Sequence, residues 1–189
     1  MMKINAFVFL FLSTITVLLY APIDPVATHI QPLATAVLKT KTGSILELGC
    51  GHYSTPLLHV MCRESNRKLV SVDSHRGWLN VFRDLERPWH QFIYVPVQEV
   101  GLKAWDAIGA DEHWSVVFVD HDPAKRRVID LHRLRAQVDV FVIHDTENIT
   151  GYNWEPTLSS FKYRYDFYAY TRKTTVVSDF IDVREFFDE

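Results

Sequence analysis

Ile45-Leu46-Glu47-Leu48-Gly49-Cys50-Gly51-His52-Tyr53-Ser54-Thr55 is the stretch whose reading decides the fold. Ser44 to Leu48 is a short, mostly apolar run of the kind that makes a buried strand, and Gly49 and Gly51 interrupt it at once. Ser54 and Thr55 then offer a helix start. A strand that passes through glycines into a helix lets backbone approach a ligand closely, and the amide groups opening the helix can bond a carboxylate or phosphate. The third glycine of the dinucleotide-binding fingerprint is missing, so a tight turn without a ligand is the competing reading at this point.

Downstream, the apolar run 68–72 ends in Asp73, and an acid at the end of a second strand can accept both hydroxyls of a ribose. Further runs at 91–97, 115–119 and 138–143 alternate with amphipathic stretches at 54–65, 75–87, 99–109 and 124–136. That rhythm predicts an α/β fold, a doubly wound, mostly parallel sheet covered by helices. Upstream, residues 26–40 carry Val26, Ile30, Leu33, Val37 and Leu38 at helical spacing. The segments 161–170 and 174–180, rich in β-formers, predict a C-terminal antiparallel hairpin with a turn near Thr171-Arg172-Lys173. The basic run Lys125, Arg126, Arg127, Arg133 and Arg135 reads as a solvated helix face.

The chain has 189 residues, of which 48% are hydrophobic, enough for one globular domain. A net charge of −3 supplies no global basic field, so nucleic acid is not an expected partner. Cys50 and Cys62 give neither a disulfide framework nor a Cys-x-x-Cys motif and read as small core residues. Ile4 to Tyr20 carries no charge and is followed by Pro22, Asp24 and Pro25. It reads as a membrane anchor, a signal peptide or a partner-facing helix. The chain therefore divides into an apolar segment, 1–21, and a folded domain, 22–189. The expectation is membrane association through 4–20 with the domain facing the cytosol, the alternatives being cytoplasmic or secreted.

A second constellation is Asp120-His121-Asp122 at the end of the fourth apolar run and His144-Asp145-Thr146-Glu147 at the end of the fifth. In a doubly wound sheet the carboxyl ends of neighbouring strands open on one crevice. Oxygen ligands there suit Mg2+ or Mn2+, and a histidine admits other divalent ions.

Glu47-Leu48-Gly49 with Tyr53-Ser54, Asp73, and Val117-Phe118-Val119-Asp120-His121 resemble the class I S-adenosylmethionine-dependent methyltransferases, over about residues 26–147. Within that superfamily they are most similar to the cation-dependent, catechol-type O-methyltransferases. The resemblance implies a Rossmann-like fold in which Glu47, Gly49, Gly51, Tyr53 and Ser54 hold the methionine end of S-adenosylmethionine. It implies that Asp73 holds the ribose and that Gln98, with Val97 and Glu99, lies near the adenine. Asp120 and Asp145 become the ligands of a divalent cation. Thr146 stands where the family has asparagine and Pro123 where it has a lysine base, which leaves His121, Asp122 or His144 to accept a proton. The aromatic stretch from Tyr152 through Trp154 to Phe161 and Tyr163 reads either as a substrate wall or as core packing. His29, His59 and His132 read as structural or exposed. The implied activity is methyl transfer to a small-molecule hydroxyl. The alternatives are a non-catalytic cofactor-binding domain and a metal-dependent hydroxylase or lyase on the same scaffold.

Overall fold

The structure, a computed structural model, describes residues 27–96, 101–147, 154–169 and 172–188. Helix α1 (Ile30–Thr40) leads into strand β1 (Ser44–Leu48), helix α2 (Ser54–Ser65), strand β2 (Leu69–Asp73) and the short helix α3 (Arg76–Val81). Strands β3 (His90–Tyr94) and β4 (Trp114–Val119), helix α4 (Lys125–Leu134), strand β5 (Val138–Ile143) and helix α5 (Trp154–Leu158) follow. Strands β6 (Tyr163–Ala169) and β7 (Arg172–Ser178) close the fold.

These strands form one sheet in the order β3-β2-β1-β4-β5-β7-β6. The first five are parallel, while β7 pairs antiparallel with both β5 and β6. The expected doubly wound sheet with a C-terminal hairpin is therefore present, with β7 inserted beside β5 and β6 left at the edge. The chain winds outward from β1 to β3 and then crosses back to β4. This reversal opens a crevice between the carboxyl ends of β1 and β4, where open α/β sheets take their ligands.

Strand alternation divides the core into two layers. Leu46, Leu48, Val117 and Val119 point to the layer that holds Leu131 and Leu134 of α4. Ile45, Val116 and Phe118 point to the other, against Leu33 and Val37 of α1 and Leu58 of α2. Both faces are covered, which is why β1, β2 and β4 read as continuous apolar runs.

Several expectations are corrected. The stretch 75–87 holds α3 only as far as Val81, then a 3-10 turn at Arg83–Leu85. The backbones of Arg87 and His90 exchange two 3.0 Å hydrogen bonds that turn the chain into β3 instead. In 99–109 a 3-10 turn, Gly101–Trp105, replaces the expected helix, and Trp105 is fully buried. The basic helix is not a solvated face throughout, because Arg126 and Arg127 are buried by ion pairs to Asp106, Asp130 and Asp120. Arg172 and Lys173 belong to β7 and not to a turn. The membrane expectation is also corrected: among the described residues no helix is long and apolar enough to cross a membrane. Residues 4–20 themselves lie outside the described residues.

Candidate active site

Gly49 makes the site possible. Its φ is +97°, and a Cβ there would stand 2.6 Å from the carbonyl carbon of Asp120, so only glycine fits. The Gly49 amide donates to the Val72 carbonyl at 2.8 Å, and the Asp120 amide to the Leu48 carbonyl at 2.8 Å. The loops after β1, β2 and β4 are thereby drawn to one point. Asp73, at the end of β2, receives the Cys50 amide on Oδ2 at 2.8 Å and the His75 amide on Oδ1 at 2.6 Å. Burial pushes its carboxyl above the ordinary range, with these two N–H donors opposing.

Around Asp73 lies a cleft of about 600 Å³, lined among others by Cys50, His75, Trp78, Tyr94, Asp120 and Asp122. It lies at the reversal of the strand order. The Trp78 ring meets His52 edge-on at 4.8 Å, and the Arg76 guanidinium lies 3.9 Å from the centre of the Tyr94 ring. The rim is thus aromatic on one side and acidic on the other.

Glu47 does not reach this cleft. It shares the α2 side of β1 with Ile45 and is fully buried, accepting Thr55 Oγ1 at 2.9 Å and Ser71 Oγ at 2.5 Å. Burial raises its carboxyl to about 7. The same layer holds Ser54, buried, and a polar chain in which Ser71 Oγ bonds His90 Nε2 at 3.0 Å and His90 Nδ1 bonds His59 Nδ1 at 2.9 Å. Glu47 acts on the glycine loop at one remove, because Thr55 Oγ1 also receives the Gly51 amide at 3.0 Å. Tyr53 is exposed at the start of α2. Gln98, with Val97 and Glu99, lies outside the described residues.

Asp120, His144 and Asp145 form the second cluster: one oxygen of each carboxylate and one ring nitrogen of His144 lie within 4.8 Å of one another. His144 Nδ1 is 3.2 Å from Asp120 Oδ2, and His144 Nε2 is 3.5 Å from Asp145 Oδ1. Burial opposes ionisation of Asp120, but the hydrogen bond and charge of His144, together with the Arg127 guanidinium, hold its carboxyl below the ordinary range. Asp145 sits at φ +57°, a left-handed conformation that aspartate tolerates better than most residues. Thr146, buried, bonds Thr175 Oγ1 at 2.7 Å and turns toward β7, away from this group. Acidic and imidazole donors so arranged suit a divalent cation.

No known family profile matches the sequence, and no curated protein matches it. Solved structures do. A candidate O-methyltransferase from Klebsiella pneumoniae superposes with a TM-score of 0.59 at 14% identity, over 89% of this chain and 96% of that one. A candidate caffeoyl-CoA O-methyltransferase from Staphylococcus aureus gives 0.58 at 10% identity, over 92% and 93%. A human methyltransferase 10 domain containing protein gives 0.58 at 11% identity, over 85% of each chain. The chain has the class I methyltransferase fold.

On this methyltransferase fold the expected proton acceptors separate. His121 is 1% exposed, bonds Asp130 at 2.9 Å and lies on the Trp105 ring at 4.4 Å. The residue borders the cleft, but its ring is buried and bonded to Asp130. Asp122 is exposed on the cleft and does not cap α4, whose N-cap is Ala124 without a side-chain bond. His144 belongs to the acidic cluster. Trp154 and Phe161 pack in the core and make no substrate wall. Sequence reasoning missed the cleft lining from Trp78 and Tyr94, though a tryptophan shortly after Asp73 was a usable signal. It also missed His29, which is buried against His144 and which burial lowers to about 4. Nothing in the sequence links residues so far apart.

Proposed function

We propose that the chain transfers a methyl group from S-adenosylmethionine to a hydroxyl of a small-molecule acceptor, with a divalent cation held by Asp120 and Asp145. The observation that carries this reading is Asp73, a carboxylate lining the cleft beside the Gly49 turn and oriented by the amides of Cys50 and His75. When bound, S-adenosylmethionine supplies a methyl already activated on a sulfonium, so the protein's contribution is mainly alignment. An ionised carboxylate has about four acceptor positions, so Asp73 keeps capacity for ribose hydroxyls beyond its two amide bonds. Trp78 and Tyr94 offer flat apolar surface to a base. A cation at Asp120 and Asp145 would supply the positive charge that lowers the pKa of an acceptor hydroxyl. Asp122, exposed on the same cleft, is the group placed to take that proton.

Calorimetric titration of S-adenosylmethionine and S-adenosylhomocysteine into the full chain tests the cofactor site. Saturable binding of both is expected, at least about tenfold weaker in Asp73→Asn, with a thermal melt to show that the variant is folded. No saturable binding by the folded wild type overturns the reading. Release of S-adenosylhomocysteine with phenols, catechols or sugars in the presence of Mg2+, Mn2+ or Zn2+ then tests transfer. A second reading, cofactor binding without turnover, is favoured by Pro123 in the place of the base and by the engagement of His121 with Asp130. Binding with no turnover across those acceptors decides for it.

A further inference from the structure

The cluster at the ends of β4 and β5 differs chemically from an oxygen-only cation site, because an imidazole, His144, belongs to it and a second, His29, packs against that ring. His144 is 5% exposed and lies between the two carboxylates, with Thr28 Oγ1 a further 3.3 Å from its Nε2. His29, at the start of α1, is also 5% exposed, and both of its ring nitrogens lack a hydrogen-bond partner among the described residues. Its ring meets that of His144 edge-on, with centroids 4.5 Å apart and planes at 70°. Buried polar groups are almost always satisfied, so an imidazole with two unmet nitrogens beside an acid-histidine group points to a missing ligand.

We infer that Asp120, His144 and Asp145 form a mixed nitrogen and oxygen site for a first-row transition ion of the zinc type, with His29 the neighbouring imidazole that can turn a nitrogen to the ion. Imidazole nitrogens suit Zn2+ and its neighbours, whereas Mg2+ demands near-octahedral oxygen coordination and keeps several waters. The inference deepens the reading above by naming the class of cation, and it stands on binding alone.

Two arginines set the terms of occupancy. Arg127 is buried and holds Asp120 by Oδ1 at 3.1 Å, which leaves Oδ2 to the site. Arg172, with a side chain 42% exposed, donates to Asp145 Oδ1 at 3.1 Å and to Glu147 Oε1 at 3.2 Å. It therefore competes with a cation for Asp145, and Glu147 can keep Arg172 when the cation enters.

The test is titration of Co2+ into the full chain after chelator treatment, read by visible absorption. A single saturable band is expected, displaced by stoichiometric Zn2+ but not by a large excess of Mg2+. His144→Ala should abolish the band, His29→Ala should weaken binding by about tenfold or more, and Arg172→Ala should tighten it severalfold. Circular dichroism follows the fold of each variant. Should either histidine variant fail to fold, Arg172→Ala and the Mg2+ competition still decide. No band in the wild type, displacement by Mg2+ as readily as by Zn2+, or weaker binding in Arg172→Ala overturns the inference. A band obtained without any S-adenosylmethionine binding in the same preparation would sink the methyl-transfer reading and leave this one standing.

Discussion

Replacing Gly49 by alanine would put a methyl group where the loop after β4 already lies. Two costs can be read from the structure. An L-residue at φ +97° is held in left-handed territory, worth about 1–2 kcal/mol. The added Cβ would meet backbone at 2.6 and 2.7 Å, the carbonyl of Asp120 and the amide of His121, so a loop must move and not a side chain. Overpacking of that kind costs about 1–3 kcal/mol, and the sum is about 2–5 kcal/mol. With a urea dependence of about 2 kcal/mol per molar, the midpoint should fall by about 1–2.5 M. Gly51→Ala is the control two residues away: its Cβ would meet only Ser54 Oγ at 3.3 Å, so a change within about 0.5 kcal/mol is expected. Equilibrium urea unfolding by circular dichroism measures both. Displacing the loop should also pull the Cys50 amide from Asp73, so S-adenosylmethionine affinity should fall in Gly49→Ala more than in Gly51→Ala. Equal midpoints for the two variants would refute the close-approach argument.

Glu47, raised by burial from 4.5 to about 7, binds its proton more tightly in the folded chain than in the unfolded one. Its contribution is therefore fully present below about pH 4.5 and is lost as pH rises to about 7. Glu47→Gln should gain on the wild type by about 3 kcal/mol between about pH 4.5 and 8 in urea unfolding, and a difference independent of pH would refute this. Asp130, fully buried, receives Arg126 Nε at 2.9 Å, Arg133 Nε and the His121 ring. Asp130→Ala removes the buried acceptor shared by Arg126, Arg133 and His121 and should cost about 3–5 kcal/mol while leaving calorimetric S-adenosylmethionine affinity nearly unchanged; retained stability would contradict the ion-pair assignment.

The strands were legible because burial on both faces demands continuous apolar runs, and Ser44–Leu48 and Val138–Ile143 have the bounds their apolar character predicts. The glycine turn and the acid that ends β2 were legible for the same local reason: Gly49 and Asp73 sit at chain reversals whose chemistry few other residues supply. Tertiary structure alone decided which way the polar side chains face. Strand alternation carries Glu47 under α2, where Thr55 and Ser71 meet it, although its place beside the glycines suggested contact with a ligand. His121 turns to Asp130 because α4 docks over the end of β4, and the same docking buries Arg126 and Arg127. His29 reaches His144 only because α1 packs across β4 and β5, and Thr28 joins the same ring across 116 residues of chain. Local periodicity records which residues must leave water. Which buried polar group finds which partner depends on how separate elements dock, and no window of sequence contains both members of such a pair.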